Sequence, residues 1–348
     1  MELLVAKMYF KNVVITSLGY ELPPLQVTSE DLEERLAPVY RRLKLPPGRL
    51  ELMSGIRSRR FWERGTRPSQ GAALAGAKAL ARAGLSPREI DCLINTSVCR
   101  DMIEPATASF VHQELKLKEQ CLIFDLSNAC LGFLNGMLVL ASLIEQGQVR
   151  HGLLVAGETA EELVESTIAS LLADATLTRK GIKSSFASLT IGSGAVACVL
   201  SRAGEGGHRL VGGACRAHTG HSHLCQGDGG TGSTVMHTDS EELLRRGVET
   251  AARVWPEFLA ELGWEPTSIA RYCCHQVGSA HARLLMETLG LDPARNFETL
   301  GSLGNVGSVS APITLAMAVE EGKILPGDRA ALLGIGSGIN CLMLGVEW

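Results

Sequence analysis

Cys130 stands where an apolar strand pattern gives way to a long amphipathic helix pattern, in the stretch LIFDLSNACLGFLNGM (residues 122–137). A thiol at such a turn lies beside unpaired backbone N–H groups and the positive end of the helix dipole, which both favour the thiolate. Because the thiolate is the nucleophilic form of cysteine, this position suits covalent catalysis. The alternative is an inert buried cysteine that behaves as a small hydrophobe.

Two polar residues in the second part of the chain could act with this thiol. His275 follows an apolar strand pattern in YCCHQVG (272–278), and ligands of open α/β sheets bind at the carboxyl ends of such strands. Asn305 lies in a glycine-rich loop, GSLGNVGS (301–308), that leads into a helix pattern. The structural alternatives are a satisfied buried histidine and an ordinary turn with a helix cap.

A third element is the glycine-rich turn around Ser337 and Gly338, in the run GIGSGIN (334–340). Backbone N–H groups of such a turn, together with the N–H of Cys130, could stabilise an oxyanion. An ordinary tight turn is again the alternative.

Short apolar runs alternate with helical patterns along the chain, which is typical of a mixed α/β protein with largely parallel strands. These patterns predict strands at 13–18, 92–98, 122–126, 153–156 and 195–200, and helices at 72–83 and 131–145.

The order of these patterns recurs in the second part of the chain. Ile90 and Ile269 stand in similar segments 179 positions apart, and the apolar runs containing Leu154 and Leu333 align at the same offset. Such self-similarity indicates an internal duplication.

Two similar halves are therefore expected, an N-terminal half of residues 1–203 and a C-terminal half of residues 204–348. A further match, IGSG, occurs at 191–194 and again at 335–338, which is an offset of only 144. The shorter offset predicts an insertion near residues 158–190 of the N-terminal half. The duplication also brings the Asn305 loop to the position that mirrors the Cys130 turn.

The composition indicates a globular protein. Of the 348 residues, 45% are hydrophobic and 20% are charged, so the chain can bury a large core and is not disordered. A net charge of −4 with no basic block argues against nucleic acid as a partner. With no signal-peptide pattern and no apolar stretch long enough to span a bilayer, we expect a cytoplasmic protein with reduced cysteines.

Four motifs, NACLGF, HQVG, GNVGSVSAP and GIGSG, resemble in this order the condensing enzymes of the thiolase superfamily, and most closely their β-ketoacyl-acyl-carrier-protein synthase III branch. The resemblance covers essentially the whole chain and implies a five-layered αβαβα fold from two duplicated halves. It places Cys130, His275 and Asn305 on the family's Cys-His-Asn triad. It also implies CoA thioesters as substrates, no cofactor, and a homodimer, with a pair of unequal subunits as the alternative.

Within this branch the chain is most similar to the OleA family, whose members join two fatty acyl-CoA molecules head to head. NTSVCRDMIEPATAS (95–109) carries Glu104 immediately before Pro105, where ordinary synthase III enzymes have an apolar residue. In the OleA family the matching glutamate reaches the partner subunit's active site and is implicated as the base. A solvated loop carboxylate is the structural alternative.

Two motifs depart from the synthase III pattern. The chain has HQVG where those enzymes read HQAN, and Met53-Ser54 where they tend to have Arg-Thr in a CoA-contacting segment. Both departures weaken a malonyl-carrier assignment. Arg57, Arg59 and Arg60 could pair with CoA phosphates, although a solvated basic turn would look the same.

A metal site has also to be considered, because CRAHTGHSHLC (215–225) contains three histidines and two cysteines. Its spacing fits neither the Cys-x₂-Cys nor the His-x₃-His pattern of structural zinc sites, so we expect no metal and a polar loop instead.

The expected function is a non-decarboxylative condensation of two long-chain acyl-CoAs to a 2-alkyl-3-oxo acid, which lipid-modifying enzymes would then use. One alternative is a synthase III that condenses acyl-CoA with malonyl-acyl-carrier protein. The other is a non-catalytic acyl-binding partner subunit, which would be expected to lose the triad.

Overall fold

The computed structural model of the protein describes residues 8–204, 206–228 and 235–348. The prediction that the chain starts without a signal peptide concerns a segment whose first seven residues lie outside the described residues. The strands are β1 (Met8–Tyr9), β2 (Val13–Glu21), β3 (Leu25–Thr28), β4 (Ser58–Phe61), β5 (Cys92–Asn95), β6 (Leu122–Asp125), β7 (His151–Glu158), β8 (Gly194–Arg202), β9 (His208–Ala217), β10 (Cys225–Asp228), β11 (Val235–Thr238), β12 (Ile269–Cys274), β13 (Arg329–Gly336) and β14 (Asn340–Glu347). The helices are α1 (Ser29–Arg35), α2 (Ala37–Leu43), α3 (Arg49–Ser54), α4 (Pro68–Ala83), α5 (Thr107–Leu115), α6 (Gly132–Glu145), α7 (Glu161–Ala173), α8 (Gly181–Leu189), α9 (Ser240–Leu262), α10 (Ser279–Leu289), α11 (Leu300–Leu303) and α12 (Ser310–Glu320).

Ten strands form one continuous hydrogen-bonded sheet in the order β12-β13-β14-β9-β2-β8-β7-β5-β6, with β1 paired to β9. We call β2-β8-β7-β5-β6 the first-half sheet and β9-β14-β13-β12 the second-half sheet. In the first-half sheet, β2 lies beside β8, and the next two strands, β7 and β5, are parallel. In the second-half sheet, β9 lies beside β14, and the next two strands, β13 and β12, are parallel. In the second-half sheet, the place of β6 is taken by a single parallel bridge between Tyr272 and Asn296.

Alternate residues of the strands face different hydrophobic clusters, as the two-residue period of a strand requires. In β7, Leu154 packs in a central cluster with α6 and α12, whereas Leu153 packs in an outer cluster with α4 and α5. In β13, Leu332 packs in the same central cluster, and Leu333 packs in a second outer cluster with α9 and α10. The layers are therefore helix, sheet, helix, sheet, helix, which confirms the predicted five-layered α/β fold.

The strand register refines the internal alignment. Ile94 of β5 and Cys273 of β12 both face the central cluster, and they are 179 positions apart as the sequence alignment expected. The offset changes on the neighbouring strands. Ile94 is paired with Leu154 of β7 and Cys273 with Leu332 of β13, and these two leucines are 178 positions apart. Pairing Leu154 with Leu333 is therefore wrong by one residue, since those side chains face opposite sides of their sheets.

The segment 158–190, predicted as an insertion, contains α7 and α8. Both helices pack in a separate cluster with α1 and α2, and this cluster includes Phe61 of β4.

None of the helices within the described ranges combines the length and the hydrophobicity that crossing a bilayer requires.

Candidate active site

Cys130 lies on a tight turn between β6 and α6. Ala129 has φ of +46°, a left-handed conformation that non-glycine residues rarely adopt, and such strain is common at functional sites. The turn is closed by hydrogen bonds from the Leu131 N–H to the Asn128 carbonyl (3.0 Å) and from the Gly132 N–H to the Ala129 carbonyl (3.0 Å). A Cβ atom at Gly132 would lie 2.6 Å from the Thr96 carbonyl oxygen, so only glycine lets α6 start directly against the end of β5.

The end of β13 lies directly against this turn. A Cβ atom built on Gly336 would be 3.7 Å from the Cys130 Cβ and 3.0 Å from Leu131 Cγ. Gly338, two residues further, has φ of +133°, which favours glycine. The structure thus places Gly336, at the start of the Ser337–Gly338 turn, beside Cys130.

His275 follows β12 at the same edge of the sheets and is buried. Its backbone N–H donates to the Leu333 carbonyl (2.9 Å), which extends the pairing with β13 by one residue. Burial, with a smaller effect of the neighbouring His281, lowers the pKa of His275 to about 3. The imidazole is therefore neutral at physiological pH, and its Nδ1 has no hydrogen-bond partner among the described residues. A neutral imidazole can donate one hydrogen bond to a developing negative charge.

Asn305 lies on the loop that joins α11 to the short turn Gly307–Val309 before α12. Its backbone is held on both sides, because its N–H donates to the Thr190 carbonyl (3.0 Å) and its carbonyl accepts from the Gly192 N–H (2.9 Å). The side-chain Oδ1 accepts from the Gly307 N–H at 3.1 Å. With the oxygen engaged in this way, the Nδ2 amine is the part of Asn305 that can donate to a substrate.

Glu104 lies on an exposed loop between β5 and α5. Its neighbour Ile103 is 91% exposed, and Met102 and Val98 are also exposed apolar residues of this loop. Glu104 makes no hydrogen bond or ion pair with any described residue of its own chain. Within the single chain, Glu104 is therefore exposed and forms no hydrogen bond with Cys130, His275 or Asn305.

The structure adds a residue that the sequence patterns missed, the buried Glu158 at the end of β7. Its carboxylate accepts hydrogen bonds from the Val98 N–H (2.8 Å), the Cys99 N–H (3.0 Å) and the Ser308 hydroxyl (2.6 Å). It therefore connects the loop that leads to Glu104 with the loop that follows Asn305. Burial raises its pKa, and these three donors oppose that rise by stabilising the charged form. The sequence feature that could have identified Glu158 is an acidic residue at the carboxyl end of a predicted strand.

The expected preference of Cys130 for the thiolate is wrong in this structure. Burial is the largest cause that raises the pKa of Cys130, from an ordinary 9.0 to about 12, and the nearby Cys225 and Glu158 act in the same direction. A helix N-terminus contributes only about 0.3–1 kcal/mol, which is less than one pKa unit. The resting thiol is therefore protonated at neutral pH.

This protonation predicts how alkylation of Cys130 depends on pH. Because the thiolate reacts and its fraction rises with pH below the pKa, labelling by iodoacetamide should accelerate about tenfold for each pH unit between pH 7 and 9. Mass spectrometry of the tryptic peptide containing Cys130 measures the rate, and the exposed Cys215 reports on the reagent in the same sample. A Cys130 rate that is already constant above pH 7 would show that the thiolate forms in the resting enzyme.

The three arginines predicted to contact CoA occupy different environments. Arg57 is exposed, and its guanidinium lies beside Gly301 of α11. Arg60 is half-buried and donates to the Pro23 carbonyl (3.0 Å). Arg59 is completely buried and donates to the Ser29 hydroxyl and the Leu189 carbonyl, so its assignment as a CoA contact is wrong. Its place on strand β4 turns it inward, next to the outward-facing Arg60.

The histidine-rich segment 215–225 begins in the last residues of β9, continues through an irregular helical turn at Thr219–Leu224 and ends at the first residue of β10. The rings of His218 and His221 meet edge to face, with centroids 4.4 Å apart. Within the described ranges, no three His, Cys, Asp or Glu side chains are grouped so that they could hold a metal ion.

Comparisons with known proteins agree with this geometry. The model of the 3-oxoacyl-[acyl-carrier-protein] synthase III family matches residues 124–219, and the model of that family's C-terminal region matches residues 259–348. An acyl-CoA:acyl-CoA alkyltransferase from Shewanella oneidensis is 41% identical over 98% of this chain and 100% of its own length. A β-ketoacyl-[acyl-carrier-protein] synthase III from Rhodospirillum rubrum is 30% identical over 94% of this chain and 96% of its own.

A solved structure leads to the same assignment. Cerulenin-bound OleA from Xanthomonas campestris superposes on this protein with a TM-score of 0.94, at 38% identity and with 98% of each chain covered. The chain therefore belongs to the acyl-CoA:acyl-CoA alkyltransferase (OleA) family of thiolase-like condensing enzymes, within the wider synthase III family.

Proposed function

We propose that this enzyme joins two long-chain fatty acyl-CoA molecules by a non-decarboxylative Claisen condensation. The observation that carries the proposal is Glu104, an exposed carboxylate on an apolar loop in a chain that also has Cys130, His275 and Asn305. A condensation without decarboxylation must remove a proton from an unactivated α-carbon, so it needs a base of this kind.

The first step acylates the enzyme. The Cys130 sulfur attacks the thioester carbonyl of one acyl-CoA, the bond from that carbon to the CoA sulfur breaks, and the proton from Cys130 ends on the departing CoA thiol. The negative charge on the carbonyl oxygen is stabilised by the backbone N–H of Cys130 and an N–H of the Ser337–Gly338 turn.

The second step forms the carbon–carbon bond. The carbonyl oxygen of a second acyl-CoA accepts hydrogen bonds from His275 and Asn305, which stabilise the enolate formed when Glu104 of the partner subunit removes the α-proton. The enolate carbon attacks the acyl group on Cys130, and the Cys130 sulfur leaves. Hydrolysis of the remaining CoA thioester gives a 2-alkyl-3-oxo fatty acid and a second free CoA. No cofactor is needed for any of these steps.

Glu104 can act in this way only if the enzyme is a dimer. Two features support a homodimer: the exposed apolar residues around Glu104, and the edge strand β6, where Leu122 is 51% exposed. An unpaired strand edge with an exposed apolar residue is a surface that proteins usually cover. As part of the proposal, the dimer works in the cytoplasm, Arg57 binds a CoA phosphate, and lipid-modifying enzymes consume the product.

A synthase III that uses malonyl-acyl-carrier protein is the second candidate, favoured by the two matches to synthase III family models. Such an enzyme obtains its carbanion by decarboxylation and has no need of Glu104 as a base. A non-catalytic subunit is disfavoured because Cys130, His275 and Asn305 are all present.

The stoichiometry of CoA release separates these candidates. The enzyme is supplied with myristoyl-CoA alone or with added malonyl-acyl-carrier protein, and both free CoA and condensed lipid are measured. Two CoA molecules per condensed lipid, unaffected by the malonyl donor, are expected. One CoA per lipid, formed only with the malonyl donor, would instead identify a synthase III.

A further inference from the structure

Three asparagines form a chain of side-chain hydrogen bonds around the Cys130 turn, and the mechanism above uses none of them. The Asn128 Nδ2 donates to Asn135 Oδ1 at 2.8 Å. The Asn340 Nδ2 donates to Asn128 Oδ1 at 3.3 Å and to the Ser337 carbonyl at 3.2 Å. Asn128 thus uses both ends of its amide, which fixes how that amide is turned.

The members of this chain belong to different structural elements. Asn128 precedes the strained Ala129 and Cys130. Asn135 lies in α6 and so joins this set of hydrogen bonds to that helix. Asn340 begins β14, two residues after Gly338 of the Ser337–Gly338 turn. A Cβ atom at Gly338 would lie 2.5 Å from the Asn340 Nδ2, so the amide packs directly against that turn.

The two backbone segments that would form the oxyanion hole are far apart in sequence. One follows β6 and the other follows β13, and the Asn340–Asn128 hydrogen bond joins them directly. An oxyanion hole is effective only when its donors are already placed around the developing charge, and small displacements are costly. The amide of Asn340 suits this junction because its two N–H groups serve two acceptors at once.

We propose that Asn340 is a positioning residue which, through Asn128, holds the Ser337–Gly338 turn in register with the backbone N–H of Cys130. The proposal rests on the proposed function only in that Cys130 is acylated, and it concerns the acylation step alone. Condensation, Glu104 and the second substrate do not enter it.

The test is the single-turnover rate of acylation by myristoyl-CoA, measured by rapid quenching and intact-protein mass spectrometry. Asn340→Ala should lower the maximal rate about tenfold or more, with the half-saturating concentration changed less than about twofold, because the transition state and not the substrate loses its alignment. Asn12→Ala is the control, since Asn12 binds Glu145 at the opposite end of α6. It should acylate at the wild-type rate.

Two further variants keep the test decisive. Asn340→Asp preserves the shape but replaces Nδ2 with a carboxylate oxygen that faces the Ser337 carbonyl and Asn128 Oδ1, so it should also acylate slowly. Asn128→Ala combined with Asn340→Ala should lose no more than the worse single variant, because both act through one hydrogen bond. Independent, multiplying losses, or a wild-type rate in folded Asn340→Ala or Asn340→Asp, would overturn the proposal. In the wild-type enzyme, normal acylation without any condensed lipid would count against the proposed function and would leave this proposal standing.

Discussion

Replacing Cys130 by alanine should abolish acyl-enzyme formation and lower condensation at least about 10⁴-fold, because it removes the sulfur that would form the covalent intermediate. Intact-protein mass spectrometry after incubation with myristoyl-CoA measures the adduct. The wild type should gain one myristoyl group, and Cys130→Ala should gain none.

Cys215→Ala is the matched control for this experiment. Cys215 is an exposed thiol on β9, outside the strand-to-helix turn, so its loss should leave the adduct and the condensation rate unchanged. A covalent acyl group retained on Cys130→Ala would assign the nucleophile to another residue.

Glu104→Ala should still form the acyl-enzyme but lose condensation by about 10²–10⁴-fold, the usual contribution of a positioned general base. The single chain explains why the two steps separate, since Glu104 is exposed on its loop and forms no hydrogen bond with the residues around Cys130. Acylation is followed by protein mass spectrometry, and condensation by lipid mass spectrometry. Glu119→Ala, which removes an exposed acid just before β6, is the control and should be active.

Mixing two inactive variants tests whether Glu104 serves the partner subunit. In a heterodimer of Cys130→Ala and Glu104→Ala chains, the intact Cys130 faces the intact Glu104 of the other chain. Random reassociation makes half of the dimers mixed, each with one working site, so about one quarter of wild-type activity should return. If both groups acted within one chain, the mixture would remain inactive.

Much of the site could be predicted from sequence because its signals are local. Cys130, His275 and Asn305 each stand at the end of a recognisable strand or in a glycine-rich loop. The strand and helix on either side of Cys130, predicted at 122–126 and 131–145, are β6 and α6 to within one residue. The predicted strand 92–98 is an exception, since β5 ends at Asn95. The residues beyond it turn away, with the Ser97 hydroxyl bound to Asn95 Oδ1.

The remaining features depend on contacts between distant parts of the chain. Glu158 binds Val98, 60 residues earlier, and Ser308, 150 residues later, so no local pattern reveals it as the link between two loops. Arg59 is buried by the folding of α1 and α8 over β4, which a run of basic residues does not disclose.

The pKa of Cys130 is similarly out of reach of sequence patterns. The sequence pattern indicates a helix dipole that lowers the pKa of Cys130, but it does not indicate the burial that raises this pKa by more. The position of a thiol at a strand-to-helix turn therefore does not by itself predict the ionisation state of that thiol.

The most direct measurement is incubation of the purified enzyme with myristoyl-CoA as the only substrate, followed by mass spectrometry of the lipid extract. We expect a long-chain 2-alkyl-3-oxo acid, or the symmetrical ketone that forms when this acid loses carbon dioxide. An enzyme that becomes acylated on Cys130 but yields no condensed lipid until malonyl-acyl-carrier protein is added would contradict head-to-head condensation.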